Sequence, residues 1–252
     1  MANDTPKGPY IREAKLPEEV ALLGRTSARA FASHPAKNYF TGQKTAMHLQ
    51  EGGQKAKNLR RLAHFEESIL RSVMLIHGRI MVVAVPEADG KERIAACAAW
   101  IPPKSADMDG LLVLIRAKFH RSLFAWGLNL LKRTTGEYLP GMSKRRAAEL
   151  KKQGIKDNEY WHLELLFTNP DDEGHGYCGK LLREQEAHDP TRLFTLDASS
   201  ERSIGIYHHY GWTTYDQFRL GPGKAAEDGT VASGEKAKGV PVELMYRKPT
   251  GA

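Results

Sequence analysis

The chain has 252 residues, 41% hydrophobic and 27% charged, proportions ordinary for a globular protein and enough chain for a real core. Its two cysteines, Cys97 and Cys178, make neither a disulfide framework nor a metal cluster, and its start lacks the apolar stretch of a secretory signal, so a cytoplasmic protein is expected. The net charge of +7 is local: between Lys104 and Asp157 twelve Lys or Arg stand against five Asp or Glu, and the rest of the chain balances.

Residues from about Glu18 to Phe31 are spaced as a helix, with Val20, Leu22, Leu23 and Ala30 available to one face. Leu59, Leu62, Phe65, Ile69 and Val73 recur at helical intervals with charges between them, until Gly78 stops the pattern. IMVVAV (80–85) and RIAACAAWI (93–101) read as two short buried strands, joined as a hairpin through Asp89-Gly90 and ended by Pro102-Pro103. The basic stretch 104–157 comes next, and it predicts a helical insertion. Its segment LLVLIRAKFHRSLFAWGLNLLKR (111–133) is too interrupted by Arg116, Lys118 and Arg121 to span a bilayer. It packs on its own domain, covers a cleft or lies on a membrane surface. Its charge is a solvated face or a patch for an anionic ligand; no recognised nucleic-acid module accompanies it, so no nucleic-acid partner is expected.

A second helix runs through KRRAAELKKQG (144–154). After Tyr160 the pattern becomes compact: strand 161–168, a glycine loop, a helix to about His188, strand 192–198, helix 203–211 and strand 212–220. A Gly/Lys/Ala-rich loop, 221–239, reads as mobile, and VPVELMYRK (240–248) is the last strand. Strands, hairpins and one clear strand–helix–strand unit predict an α+β fold with a mixed sheet.

The glycine loop admits two readings. Gly174-x-Gly176-x-x-Gly179 formally matches the dinucleotide fingerprint, with Asp197 about where a ribose-binding acid sits. Against this, TNPDDE separates the first glycine from the strand, and the 55 residues after Asp197 look like strands and loops rather than further strand–helix units. The second reading needs only the helix terminus: amides of the first turn lack intrahelical acceptors and carry partial positive charge, so those of residues 174–179 suit a pyrophosphate. Lys180-Leu181 is not the Gly-Lys-Ser/Thr signature of a P-loop, and no metal-dependent phosphoryl transfer is implied.

The residues here resemble the GNAT superfamily of acyl-CoA-dependent N-acetyltransferases. Its core motif, a strand, often a proline, then Gln/Arg-x-x-Gly-x-Gly/Ala leading into a helix, corresponds to Pro170, then Glu173-Gly174-His175-Gly176-Tyr177-Cys178, then Leu181-Leu182. A second motif, a strand end followed by Tyr-x-x-x-Gly-Phe, appears as LDASSERSIGIYHHYGW with Tyr207, Gly211 and Trp212. The likeness covers about Tyr160 to Leu220. Two departures stand out: Glu173 replaces Gln or Arg, so that it must point away from a pyrophosphate or pair with a base, and Cys178 stands where Gly or Ala is common.

The resemblance implies one domain over 1–252, with a mixed, mostly antiparallel central sheet flanked by helices and the basic insertion at about 104–157. It implies acetyl-CoA as acyl donor, held by backbone of Leu166, Phe167 and Thr168, by residues 173–179 including Gly179, and with Ser200 and Ser203 as further contacts. Helix capping is the commoner task for those serines. His162 and Glu164, two apart on a strand, project from one face where such enzymes often place a base, with His162 ranked slightly ahead because an unperturbed imidazole suits neutral pH. Glu164 acts directly only if its surroundings raise its pKa. The resemblance casts Tyr207 as general acid toward the leaving thiolate. His208 and His209 have no spaced partners, so no metal is expected. The expected activity is acetyl transfer to a primary amine of a small molecule. The alternatives are an acyl-CoA binder without turnover, which Glu173 favours, and a dinucleotide-dependent oxidoreductase.

Overall fold

The computed structural model describes residues 8–48, 53–108, 110–156 and 159–249. Seven strands form one sheet in the order β1-β2-β3-β4-β5-β7-β6. These are β1 (Tyr10–Glu13), β2 (Arg79–Pro86), β3 (Glu92–Ile101), β4 (Tyr160–Thr168), β5 (Leu193–Ala198), β6 (Thr213–Leu220) and β7 (Val240–Arg247). Every neighbouring pair is antiparallel except β4 and β5, which run parallel around the helix between them. This is the expected α+β architecture. A single parallel pair does not make the repeatedly crossed-over sheet of a dinucleotide-binding unit, which removes the oxidoreductase reading.

Helices cover both faces. α8 (Tyr177–His188) and α9 (Glu201–His209) lie on one side, where Trp100, Leu163, Leu181 and Phe194 make the core. α1 (Val20–Ala30) and α3 (Gly53–Leu75) lie on the other, against Val82, Cys97, Leu165 and Phe167. Trp100 is wholly buried, which contributes about 2–3 kcal/mol from transfer alone. α1 and α3 cross closely because Gly24 has no side chain: a Cβ there would meet the Ala63 carbonyl at 3.0 Å.

β4 changes face partway along. Its pairing with β3 steps from Trp100↔Leu163 to Ala99↔Leu165, so Glu164 is the extra residue of a β-bulge. Leu163 therefore faces α8, while Leu165 and Phe167 face α1 and α3. The ladder between β4 and β5 holds only over Tyr160–Leu163 and Leu193–Leu196, after which the two strands part.

The predicted helix over 111–133 is broken into α4 (Leu111–Arg116), α5 (His120–Trp126) and α6 (Leu128–Leu131), followed by a π-helical stretch, Lys132–Tyr138, and α7 (Leu139–Lys152). The breaks fall at Lys118 and Gly127, both at positive φ. Part of the basic charge is absorbed internally: Arg146 meets Asp197 at 2.9 Å, Arg145 meets Asp216 at 2.8 Å and Arg121 meets Glu67 at 3.7 Å.

Two elements lie outside the sequence expectations, the edge strand β1 and the short helix α2 (Pro35–Thr41). The loop 221–239 is packed rather than loose. It buries Ala225 and Ala237, accepts a 3.0 Å bond from the Asn38 amide at Asp228, and brings Gly229 so close to Pro35 that a Cβ would overlap its carbonyl.

Candidate active site

The parting of β4 and β5 opens a cleft of about 800 Å³. Its floor is the β4 segment Leu163–Thr168, one end is the loop 172–178, one wall is α9, and its roof comes from α2, α3, Met108 and the helical stretch 111–139. Past Leu163 the β5-facing edge of β4 has no ladder partner among the described residues, which leaves the backbone of Leu166, Phe167 and Thr168 open on that side. The Phe167 side chain points away into the α1/α3 core, where it meets Phe31 edge-on at 6.2 Å.

The loop at the end of the floor is pinned from several directions. Arg93 pairs with the buried Asp172, Arg29 bonds Asn169 at 2.9 Å and Asp171 at 3.0 Å, and the Asn169 N–H donates to the Ala95 carbonyl at 2.7 Å. The TNPDD segment that set this sequence apart from a dinucleotide loop is thus an anchor. The three glycines answer to two causes. Gly174 and Gly176 sit at φ +83° and +70°, conformations costly for other residues, with open space around them. Gly179 packs instead, since a Cβ there would overlap the Tyr210 ring. Among the described residues no backbone N–H of residues 174–179 donates to a protein acceptor.

The side chains of this loop are occupied. His175 Nδ1 donates at 3.1 Å to the Asp172 carbonyl and its ring stacks on Tyr177, whose ring belongs to the core. Cys178 Sγ lies 3.2 Å from Thr168 Oγ1, tying the helix start to the strand, and burial pushes its thiol pKa up. Glu173 does what its position demanded of it and pairs with a base, Arg202 of α9, at 2.7 Å. Ser200 is the N-cap of α9, accepting from the Ser203 N–H at 3.2 Å, while the two hydroxyls lie 2.8 Å apart. Capping is therefore what the structure gives Ser200, although both serines border the cleft.

His162 and Glu164 come together but in unequal positions. His162 is buried: its Nδ1 lies 2.9 Å from Thr195 Oγ1, and its Nε2 lies 3.6 Å from Asp197 Oδ2 and 3.9 Å from Glu164 Oε2. Burial and the neighbouring Arg146 hold its pKa well below the usual imidazole range. Its ring is not among the cleft-lining residues, whereas Glu164 is. About a fifth of the Glu164 side chain stays open, and among the described residues its carboxylate accepts no hydrogen bond. Burial raises its pKa to about 7, against the pull of Lys37. The surroundings thus push the two groups in opposite directions: burial raises the carboxylate toward neutrality and, with Arg146, holds the imidazole below its usual range.

Tyr207 faces the same cleft from α9, and its hydroxyl makes no hydrogen bond to the described residues. Burial, with Cys178 and Asp197 nearby, raises its pKa, so the phenol stays protonated. Of the two histidines after Tyr207, His208 donates from Nδ1 to the Trp212 carbonyl at 3.1 Å.

Several groups in the cleft or buried beside its lining carry no local sequence signal. Lys37 of α2 and Glu66 of α3 form a buried pair at 2.8 Å, and Ser27 donates to the second Glu66 oxygen at 2.9 Å. His34 is half-buried, its Nδ1 is buried with no partner among the described residues, and its pKa is pushed down to about 3 by burial and Lys37. Asp197, weighed above as a ribose ligand, is instead clamped by Arg146, with Oδ1 left unpaired.

No protein-family model matches the chain, and no curated protein matches it in sequence. Solved structures match almost end to end. A histone acetyltransferase-related acetyltransferase from Corynebacterium glutamicum is 15% identical with a TM-score of 0.57, covering 96% of this chain and 97% of its own. Arylalkylamine N-acetyltransferase 2 from Aedes aegypti is 12% identical at 0.54, covering 96% and 99%. An agmatine N-acetyltransferase is 14% identical at 0.52, covering 95% and 98%. What they share with this chain is the fold, which is that of the GNAT acetyltransferases.

Proposed function

From that fold and cleft we propose that the protein is an N-acetyltransferase, one domain with a helical insertion, that transfers the acetyl group of acetyl-CoA to the primary amine of a small molecule. The observation that carries this reading is the separation of β4 from β5 at Glu164, which opens one cleft between unbonded amides at residues 174–179, the Glu164 carboxylate and the Tyr207 hydroxyl.

The cradle fits coenzyme A. Gly174 and Gly176 leave open space above the unbonded amides of a helix N-terminus, which is where a diphosphate is stabilised. Arg202 lies at the same end and brings a cation once its pairing with Glu173 is shared. The free edge of β4 at Leu166–Thr168 offers amide and carbonyl groups to the pantetheine arm. When bound, the coenzyme supplies an activated acetyl thioester. Glu164 takes the proton of an ammonium acceptor, directly or through a water, because its raised pKa lets it exchange protons near neutrality. His162 is a positioning residue: held by Thr195, it closes the cleft floor beneath the glutamate. Tyr207, held protonated, would deliver a proton to the departing thiolate and regain one from the acetylated nitrogen as the amide forms.

The acceptor reading follows from the roof. Phe31, Phe40, Phe65, Phe119 and Tyr138 present apolar and aromatic surface around Glu164 and Asp197, which suits an amine with an apolar body better than a charged protein tail. The test is thermal shift with acetyl-CoA, CoA and NAD, followed by thiol release across a panel of amines. Stabilisation by the first two alone and amine-dependent thiol release support the enzyme. Stabilisation by acetyl-CoA with no thiol release from any amine favours the non-catalytic binder.

A further inference from the structure

The outward face of the helical stretch 111–132 has no role in the cleft. Five of the seven strongly exposed large apolar side chains among the described residues lie here: Leu111, Leu112, Ile115, Phe124 and Leu128, at 58% to 87% exposure. Such a cluster differs from the scattered exposed leucines of an ordinary surface. Residues 110–136 also contain five Lys or Arg and no Asp or Glu. Arg121 and Arg133 are engaged, with Glu67 and with Tyr39, but Arg116, Lys118 and Lys132 are exposed and pair with no carboxylate among the described residues.

An apolar patch ringed by unpaired cations has two natural partners, an anionic bilayer or a second copy of the chain. A two-fold interface brings the same patch against itself, so the cations would face cations with no acid between them. A bilayer carrying anionic headgroups satisfies both components at once, the apolar side chains entering the headgroup–acyl boundary and the cations resting against lipid phosphates. α4 to α6 are four to seven residues long, far too short to cross, and no described helix is long and apolar enough to do so.

We propose that the outer face of residues 111–132 docks the protein on the surface of an anionic membrane, with Leu112, Phe124 and Leu128 inserted and Arg116, Lys118 and Lys132 against the headgroups. The inner face of the same stretch, through Leu114 and Phe119, lines the cleft, so docking sets the cleft roof at the lipid surface.

The test is flotation of the full chain with vesicles of phosphatidylcholine alone and of phosphatidylcholine with phosphatidylserine, at low and high salt. The wild type is expected to float with the anionic vesicles at least ~tenfold more than with neutral ones, and to be released by salt. Each neutralised cation is expected to cost about fivefold, so the variant Arg116→Gln/Lys118→Gln/Lys132→Gln loses the preference. Leu112→Gln/Phe124→Gln/Leu128→Gln is expected to stay in the pellet while keeping its unfolding midpoint and its affinity for CoA, since none of these side chains lines the cleft. Absence of wild-type flotation, equal flotation with both vesicles, or a dimer in sedimentation that the apolar variant splits would each overturn the proposal.

Discussion

Glu164 Oε2 lies 3.9 Å from His162 Nε2, and the β-bulge at Glu164 turns the carboxylate into the cleft while the imidazole stays beneath it. Two residues on one strand thereby take different parts. Glu164→Gln is expected to lower kcat/KM at least ~100-fold, as loss of a general base does. The wild-type acid limb should show an apparent pKa near the value of about 7 that burial imposes on Glu164, and the variant should lose that limb. His162→Ala should act mainly by moving the limb and less by lowering its plateau.

The same shift makes a stability prediction with a definite sign. Folding raises the Glu164 pKa from 4.5 to about 7, so the folded state holds a proton that the unfolded chain releases. Stability therefore falls as pH rises across that window. At pH 8 Glu164→Gln should be more stable than wild type, on the order of 2 kcal/mol, and at pH 4 the difference should vanish. Urea unfolding at the two pH values measures it.

Tyr207→Phe removes one oxygen from a ring that packs edge-on against Trp212 at 5.9 Å. The fold should survive, and kcat should fall about 10–100-fold with little change in the KM for acetyl-CoA. A matching loss of CoA affinity in calorimetry would instead give Tyr207 a binding role.

Glu173 and Arg202 oppose each other at the phosphate end of the cleft. Glu173→Gln releases the guanidinium from its 2.7 Å partner, and CoA should bind several-fold tighter, more so at low salt. Arg202→Ala should weaken CoA by a comparable factor and flatten the salt dependence. Calorimetric titration at two ionic strengths separates this from a uniform effect on the loop.

Lys37 lowers the Glu164 pKa and neutralises Glu66. Lys37→Met should raise the acid limb of the rate profile and, by leaving Glu66 buried and unpaired, destabilise by about 3–5 kcal/mol. Lys37→Met/Glu66→Leu should recover most of the stability and bring the limb part of the way back, because Glu66 raises the Glu164 pKa that Lys37 lowers.

The strand–loop–helix unit around Gly174, Gly176 and Gly179 was legible because its signals are local: period-two alternation, a proline, glycines at a helix start. The bulge at Glu164 was not, since nothing in WHLELLFT marks which residue is extra; only the opposing cores of Leu163 and Leu165 reveal it. It is this bulge that sets Glu164 on the cleft lining and leaves His162 off it. Lys37, Glu66 and Arg146 were illegible for a different reason. They lie 127, 98 and 18 positions before Glu164, and no periodicity encodes pairs such as Arg146–Asp197, 51 positions apart. The loop 221–239 looked loose from its composition, yet its glycines serve close packing on α2, as at Gly229.

The most direct measurement is a crystal structure of the full chain with coenzyme A. Its diphosphate should rest on the amides of residues 174–179, its arm should run along the free edge of Leu166–Thr168, and its sulfur should come within reach of the Tyr207 hydroxyl and the Glu164 side of the cleft. Coenzyme bound away from that loop, or a sulfur remote from both side chains, would contradict the account.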